Sequence, residues 1–118
     1  AAMQTGIEAT YPTFIPRNYS LSNVTSDKDG IVTIYFDGPD GASFSLSEER
    51  STWDSNALLN NYVKKTYPAD YITLREQGIT IYARGEYASW VNGGLLYKIE
   101  ASGKNLTKEQ IRNIATSL

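Results

Sequence analysis

The sequence predicts an α+β domain: a mostly antiparallel, twisted sheet of six or seven strands with two helices packed on one face, in the order β-β-β-α-β-β-β-β-α. Three observations lead there. Short runs rich in β-branched and aromatic residues alternate apolar with polar and are separated by Gly, Asp and Asn turns. Two stretches, one in mid-chain and one at the C-terminus, switch to the helical period. The links between these segments are short, as antiparallel neighbours require.

Residues 1–10 show no periodicity and are expected to be a flexible lead-in to a single domain over 11–118. Tyr11-Pro12-Thr13-Phe14-Ile15-Pro16 is held extended by its two prolines. Tyr19-Ser20-Leu21-Ser22 alternates, Asp27-Lys28-Asp29-Gly30 is a turn, and Ile31 to Phe36 is apolar on both faces, which predicts a central strand. After a second turn at Asp37-Gly38-Pro39-Asp40-Gly41, strict alternation puts Ala42, Phe44 and Leu46 on one face and Ser43, Ser45 and Ser47 on the other. One face of this sheet is therefore expected to be wet.

Asp54 then reads as an N-cap, Trp53 as a staple onto Leu58, and Leu59, Tyr62, Val63 and Thr66 as an amphipathic helix stopped by Pro68. Tyr71 to Arg75 and Ile79 to Arg84 form a hairpin around Glu76-Gln77-Gly78. Its alternation sends Ile72, Leu74, Ile79, Ile81 and Ala83 inward and Tyr71, Arg75, Thr80, Tyr82 and Arg84 outward. Asn92-Gly93 signals a hairpin between Tyr87–Val91 and the strand from Gly94 to Glu100. A loop of those two residues sets Trp90 opposite Leu95, with a one-residue alternative left open by Gly94. Trp90 and Tyr97 are assigned to the core. In the last helix Thr107 is the N-cap, Gln110 its capping-box partner and Leu106 the staple onto Ile111, with Ile111, Ile114, Ala115 and Leu118 on one face.

Composition narrows the chemistry. The 118 residues contain neither Cys nor His, which excludes thiolate nucleophiles, imidazole bases and the His or Cys zinc sites. A net charge of −2 lacks the basic footprint of a nucleic-acid partner. No apolar run approaches the length needed to cross a bilayer, so no membrane insertion by this segment is expected. No nucleotide loop is present and no cofactor is expected. The start Ala1-Ala2-Met3 fits a mature form or, our preferred reading, a segment cut from a longer protein.

Three constellations remain. Asp27, Asp29 and Gly30 echo a calcium loop, but Ile31 and Gly38 stand where further ligands belong, so the loop is read as a turn. Glu48, Glu49 and Asp54 near Trp53 could serve a carboxylate hydrolase, although a strand end and a helix start hold acids for electrostatic reasons alone. The outward face carries Tyr71, Tyr82 and Tyr87 among Arg75, Arg84, Lys98, Thr73 and Thr80. Tyrosines beside cations can stack on sugars or anchor a peptide; the plainer reading is cross-strand Tyr pairing. Tyr71, Tyr82, Tyr87, Arg84 and Lys98 are the candidate ligand-binding residues.

The span from Tyr11 to Leu118 resembles a family of small bacterial domains of unknown function. Four segments carry the likeness: Tyr11 to Tyr19, Ser51-Thr52-Trp53-Asp54-Ser55, Trp90-Val91-Asn92-Gly93-Gly94 with Leu95 to Glu100, and Leu106 to Ile111 with Ile114 to Leu118. Asn18 stands where the family usually has Gly, which Asn can replace in a left-handed conformation. Such domains usually lie C-terminal to a single membrane-spanning helix, in proteins that include anti-sigma-factor-like ones. The resemblance thus implies an extracytoplasmic domain on a membrane tether and brings no catalytic residues. With the missing catalytic groups, this leads us to expect a non-enzymatic sensor or binding module for a peptide, a cell-wall glycan or a partner protein. The alternative is a carrier or chaperone for lipid or lipoprotein, with a cavity lined by Phe36, Phe44, Trp90 and Ile99. A carboxylate hydrolase is third.

Overall fold

The computed structural model describes residues 12–66 and 71–118. The expected lead-in 1–10, Tyr11 and the expected helix stop Pro68 lie outside them. Seven strands form one open, wholly antiparallel sheet: β1 (Ser20–Ser26), β2 (Val32–Asp37), β3 (Ser43–Arg50), β4 (Ile72–Glu76), β5 (Ile79–Arg84), β6 (Tyr87–Asn92) and β7 (Leu95–Ser102). Across the sheet the order is β1-β2-β3-β7-β6-β5-β4. Helix α1 covers 55–66, with a π-helical stretch Leu59–Val63 between two α-helical ends. Helix α2 is Lys108–Thr116.

The strand order explains α1. β3 and β4 lie four places apart in the sheet, so the chain between them must cross roughly 19 Å over the intervening strands. Twelve helical residues span about 18 Å, which matches the crossing. Asp54 starts the helix by accepting a 2.8 Å bond from the Ala57 amide, in the N-cap role expected of it.

The two helices lie on opposite faces of the sheet, which corrects the expectation of one shared face. Ile111, Ile114 and Ala115 of α2 join Ile34, Phe36, Phe44, Leu46, Ile81, Trp90, Tyr97 and Ile99 in one core. Leu58 and Val63 of α1 join Tyr82 and Leu96 in a second. Tyr82 lies between Ile81 and Ala83, so strand alternation puts it on the reverse side. The reason is composition: Ile81-Tyr82-Ala83, Ala88-Ser89-Trp90 and Leu96-Tyr97 are buried without interruption, so this half of the sheet needs cover on both sides. β2 behaves differently. Val32, Ile34 and Phe36 are buried while Tyr35 is 41% exposed, and the strand is second from the edge rather than central. Its apolar Tyr35 is an aromatic on the outer face, which pattern reading alone counts as core.

Turn chemistry fixes the registers. Gly93 and Gly94 both have positive φ, 60° and 81°, and form the two-residue loop between β6 and β7. Trp90 consequently faces Tyr97, not Leu95, and their rings stack at 5.4 Å. Both are buried, as expected. Leu21 is 51% exposed beside a bulge between Leu21 and Asn23. Ile72, expected inward, is 41% exposed at the end of the edge strand β4. At Asp27 the carboxylate accepts from the Asp29 and Ile31 amides, the bonding of a turn.

The ends of the domain are tied together. Thr13 donates its amide to the Ser117 carbonyl at 3.3 Å, and the Tyr19 ring packs on Phe44 at 5.3 Å. Gly38 allows this, since a Cβ there would meet the Tyr19 ring. At the start of α2 the capping box is complete: Thr107 Oγ1 accepts from the Gln110 amide at 3.1 Å, and Gln110 Oε1 accepts from the Thr107 amide at 2.8 Å. Thr107→Ala is expected to lower stability by about 1 kcal/mol, read as a lower urea midpoint at unchanged slope.

Candidate functional site

The candidate site is built on the face that α1 partly covers. Small side chains of β3 make its floor, because Ser45 and Ser47 point away from the core that holds Phe44 and Leu46. Ladder pairing extends the floor into two rows across the sheet. One row runs Tyr35, Ser45, Glu100, Tyr87, Arg84 over β2, β3, β7, β6 and β5. The other runs Thr33, Ser47, Lys98, Ser89, Tyr82 over the same strands. Tyr62 and Val63 of α1 form a wall, and the enclosed groove has a volume of about 350 Å³. That lies within the range of small-molecule sites, about 300–1,000 Å³.

All five candidate residues read from the sequence, Tyr71, Tyr82, Tyr87, Arg84 and Lys98, line this groove. Of the other residues named on that face, Arg75, Thr73 and Thr80 do not line it. Tyr82 is not on a wet face, however. It is 6% exposed beneath α1, its hydroxyl donates to the Ser55 carbonyl at 3.2 Å, and Tyr71 meets it edge-on at 6.0 Å. Part of the face therefore does what the plainer reading held, with Tyr paired against Tyr for packing.

Tyr62, Tyr35, Ser45, Ser47, Ser89 and Glu100 belong to the groove and were not singled out as binding residues. The alternating serines of β3 were legible as an outer face, but joining them to Lys98 and Tyr87 requires the β3–β7 register. Tyr62 reads as a core position of the helix. It does pack against the second core, and within the π-helical stretch Leu59–Val63 it also lines the groove wall, where the Lys98 ammonium sits 4.2 Å above its ring.

Two phenols are shifted. Burial first, then the neighbouring Tyr71, raises the Tyr82 pKa above its ordinary 10.0. The Glu86 and then the Glu100 carboxylates raise that of Tyr87. For Tyr82 the folded state holds its proton more tightly than the unfolded chain. Its contribution to stability is complete below pH 10 and is lost as pH rises through the folded value. Denaturation curves from pH 9 upward are thus expected to show falling stability, with a shallower fall in Tyr82→Phe.

The alternative constellations disperse. Glu48 is fully buried on the α2 side, Glu49 alternates to the other face, and Asp54 caps α1, so the three carboxylates face no common cleft. Phe36 stacks on Phe44 at 4.6 Å, and these two join Trp90 and Ile99 in one packed core. A second groove, of about 710 Å³, lies beyond Lys98 and is lined by Arg50, Trp53 and Leu96. No helix among the described residues is long and apolar enough to cross a membrane.

The model of one family, described as Domain of unknown function (DUF4367), matches residues 10–118. The chain belongs to that family. No curated protein matches it. In this DUF4367 domain the segments that carried the likeness have visible structural work. Asn18 has φ 70°, the left-handed conformation in which Asn can replace Gly. Asp54 caps α1, Gly93-Gly94 closes the Trp90 hairpin, and Thr107 with Gln110 caps α2.

Proposed function

We propose that this DUF4367 domain is a non-enzymatic binding module whose ligand lies in the groove between α1 and the serine-bearing face of the sheet. The observation that carries the reading is convergence: five residues chosen from sequence as binding candidates line one groove, beside a π-helical wall. Tyr and Ser together resemble the composition of binding surfaces, where the ring supplies area at low entropic cost and hydroxyls adapt their bonding. The lack of His and Cys and the dispersal of the three carboxylates favour binding over catalysis.

A heteronuclear NMR titration with a solubilised digest of bacterial envelope tests the site. Amide shifts are expected to cluster on Ser45, Ser47, Tyr87, Ser89 and Lys98, and to vanish in the double variant Tyr87→Ala, Arg84→Ala. Shifts gathered on the α2 side instead would remove the proposed site. The resemblance further supports a place outside the cytoplasm, on a membrane tether. Protease added to intact cells is then expected to cut this domain from the full-length protein; protection until lysis would contradict that placement.

A further inference from the structure

Resting on the binding reading, we propose that the groove selects a linear oligosaccharide rather than an extended peptide. The argument begins with the floor. Every strand beneath the groove, β2, β3, β7, β6 and β5, is an interior strand, with a hydrogen-bonded neighbour on both sides. Their backbone groups are engaged in the ladders, so a peptide lying here finds no strand edge to extend. The sheet's edges are β1 and β4, outside the floor. A bound peptide would bury amide groups against side chains alone, at a cost for each one left unpaired.

A sugar chain makes the opposite demand. Its hydroxyls donate and accept in many directions, and each Ser or Thr hydroxyl supplies one donor and two acceptor sites that rotate to suit. Thr33, Ser45 and Ser89 offer three such groups along the two rows, and Ser47, whose hydroxyl donates to the Lys98 carbonyl at 3.5 Å, adds acceptor sites. Lys98 and Glu100, adjacent across the rows on β7, add one charged donor and one charged acceptor, which shorten and strengthen bonds to hydroxyls. Two rings flank this floor, Tyr35 at one end and Tyr87 towards the other, while Tyr62 on the wall has one face taken by the Lys98 ammonium at 4.2 Å. The apolar C–H face of a pyranose can lie on such a ring. From Tyr35 to Arg84 the row crosses five strands, roughly 19 Å, which suits a short oligosaccharide lying across the strands.

The test titrates the isotopically labelled chain separately with cellohexaose, chitohexaose, an oligogalacturonate and a pool of random decapeptides. At least one of the three sugars is expected to shift the amides of Ser45, Ser47, Ser89 and Lys98, and the peptides none of them. Tyr35→Ala removes an exposed ring without opening the core and is expected to weaken the responding sugar about tenfold, with Tyr35→Phe restoring it. Peptide shifts at the groove with silent sugars would overturn the sugar and leave the binding module standing. Silence of all four probes at the groove would overturn both. A sugar that binds equally well to Tyr35→Ala would remove the ring-stacking account of selection.

Discussion

Replacing Trp90 with alanine is expected to cost about 3–5 kcal/mol of folding stability, a large part of the 5–15 kcal/mol that holds a domain of this kind together. Trp90 has no exposed surface, stacks on Tyr97 at 5.4 Å, and belongs to the core between the sheet and α2. Alanine would remove the ring and leave a cavity in a region where neighbouring strands are locked in register, so little collapse can fill it. Trp90→Phe separates packing from polarity. It keeps a ring against Tyr97 and removes the indole N–H, which is buried without an acceptor among the described residues and so costs stability where it stands. The phenylalanine variant is therefore expected to lose much less than the alanine one. Urea denaturation of the two variants checks this, and equal losses would show that a phenyl ring restores none of the packing that Trp90 provides.

The local structure was legible where one residue type has one physical reason to be present. Asp54, Thr107 and Gln110 are capping residues with few other roles at a helix start, and all three cap as read. Asn18 in place of Gly pointed to a left-handed residue and is one. The hairpin signal at Asn92-Gly93 leaves two registers one residue apart, and the second positive φ, at Gly94, selects the one with Gly93-Gly94 as the loop, so that Trp90 faces Tyr97 rather than Leu95.

Which face each helix covers was not legible, because periodicity describes one segment at a time. Its trace was present in the unbroken burial of Ile81-Tyr82-Ala83 and Leu96-Tyr97, which strict alternation divides into inward and outward halves. The groove was half legible. Tyr87, Arg84 and Lys98 follow from alternation within their own strands, whereas Ser45, Ser47 and Tyr35 join them only through long-range pairing across β2, β3 and β7. Tyr62 packs against the second core, as its place on the helix's apolar face predicts, and it walls the groove as well only because α1 covers this side of the sheet, which the helix's own period cannot say.

Leu58→Ala tests the two-faced arrangement and the groove wall together. Leu58 is fully buried beneath α1 against the second core, with Val63, Tyr82 and Leu96, and its truncation is expected to cost about 2–5 kcal/mol. The local consequence is more specific than the loss itself. Burial is the first cause of the raised Tyr82 pKa, and α1 provides that burial along with the Ser55 carbonyl to which the phenol donates its hydrogen bond. A loosened α1 therefore lets the Tyr82 titration fall back towards 10.0, which ultraviolet absorbance at alkaline pH can follow. Ile114→Ala is the matched control, since Ile114 is equally buried but lies in the core on the α2 side. It is expected to lose comparable stability while leaving the Tyr82 titration in place. If Ile114→Ala moved that titration and Leu58→Ala did not, the assignment of helices to faces would be reversed, and the wall that carries Tyr62 to the groove would have to be sought elsewhere.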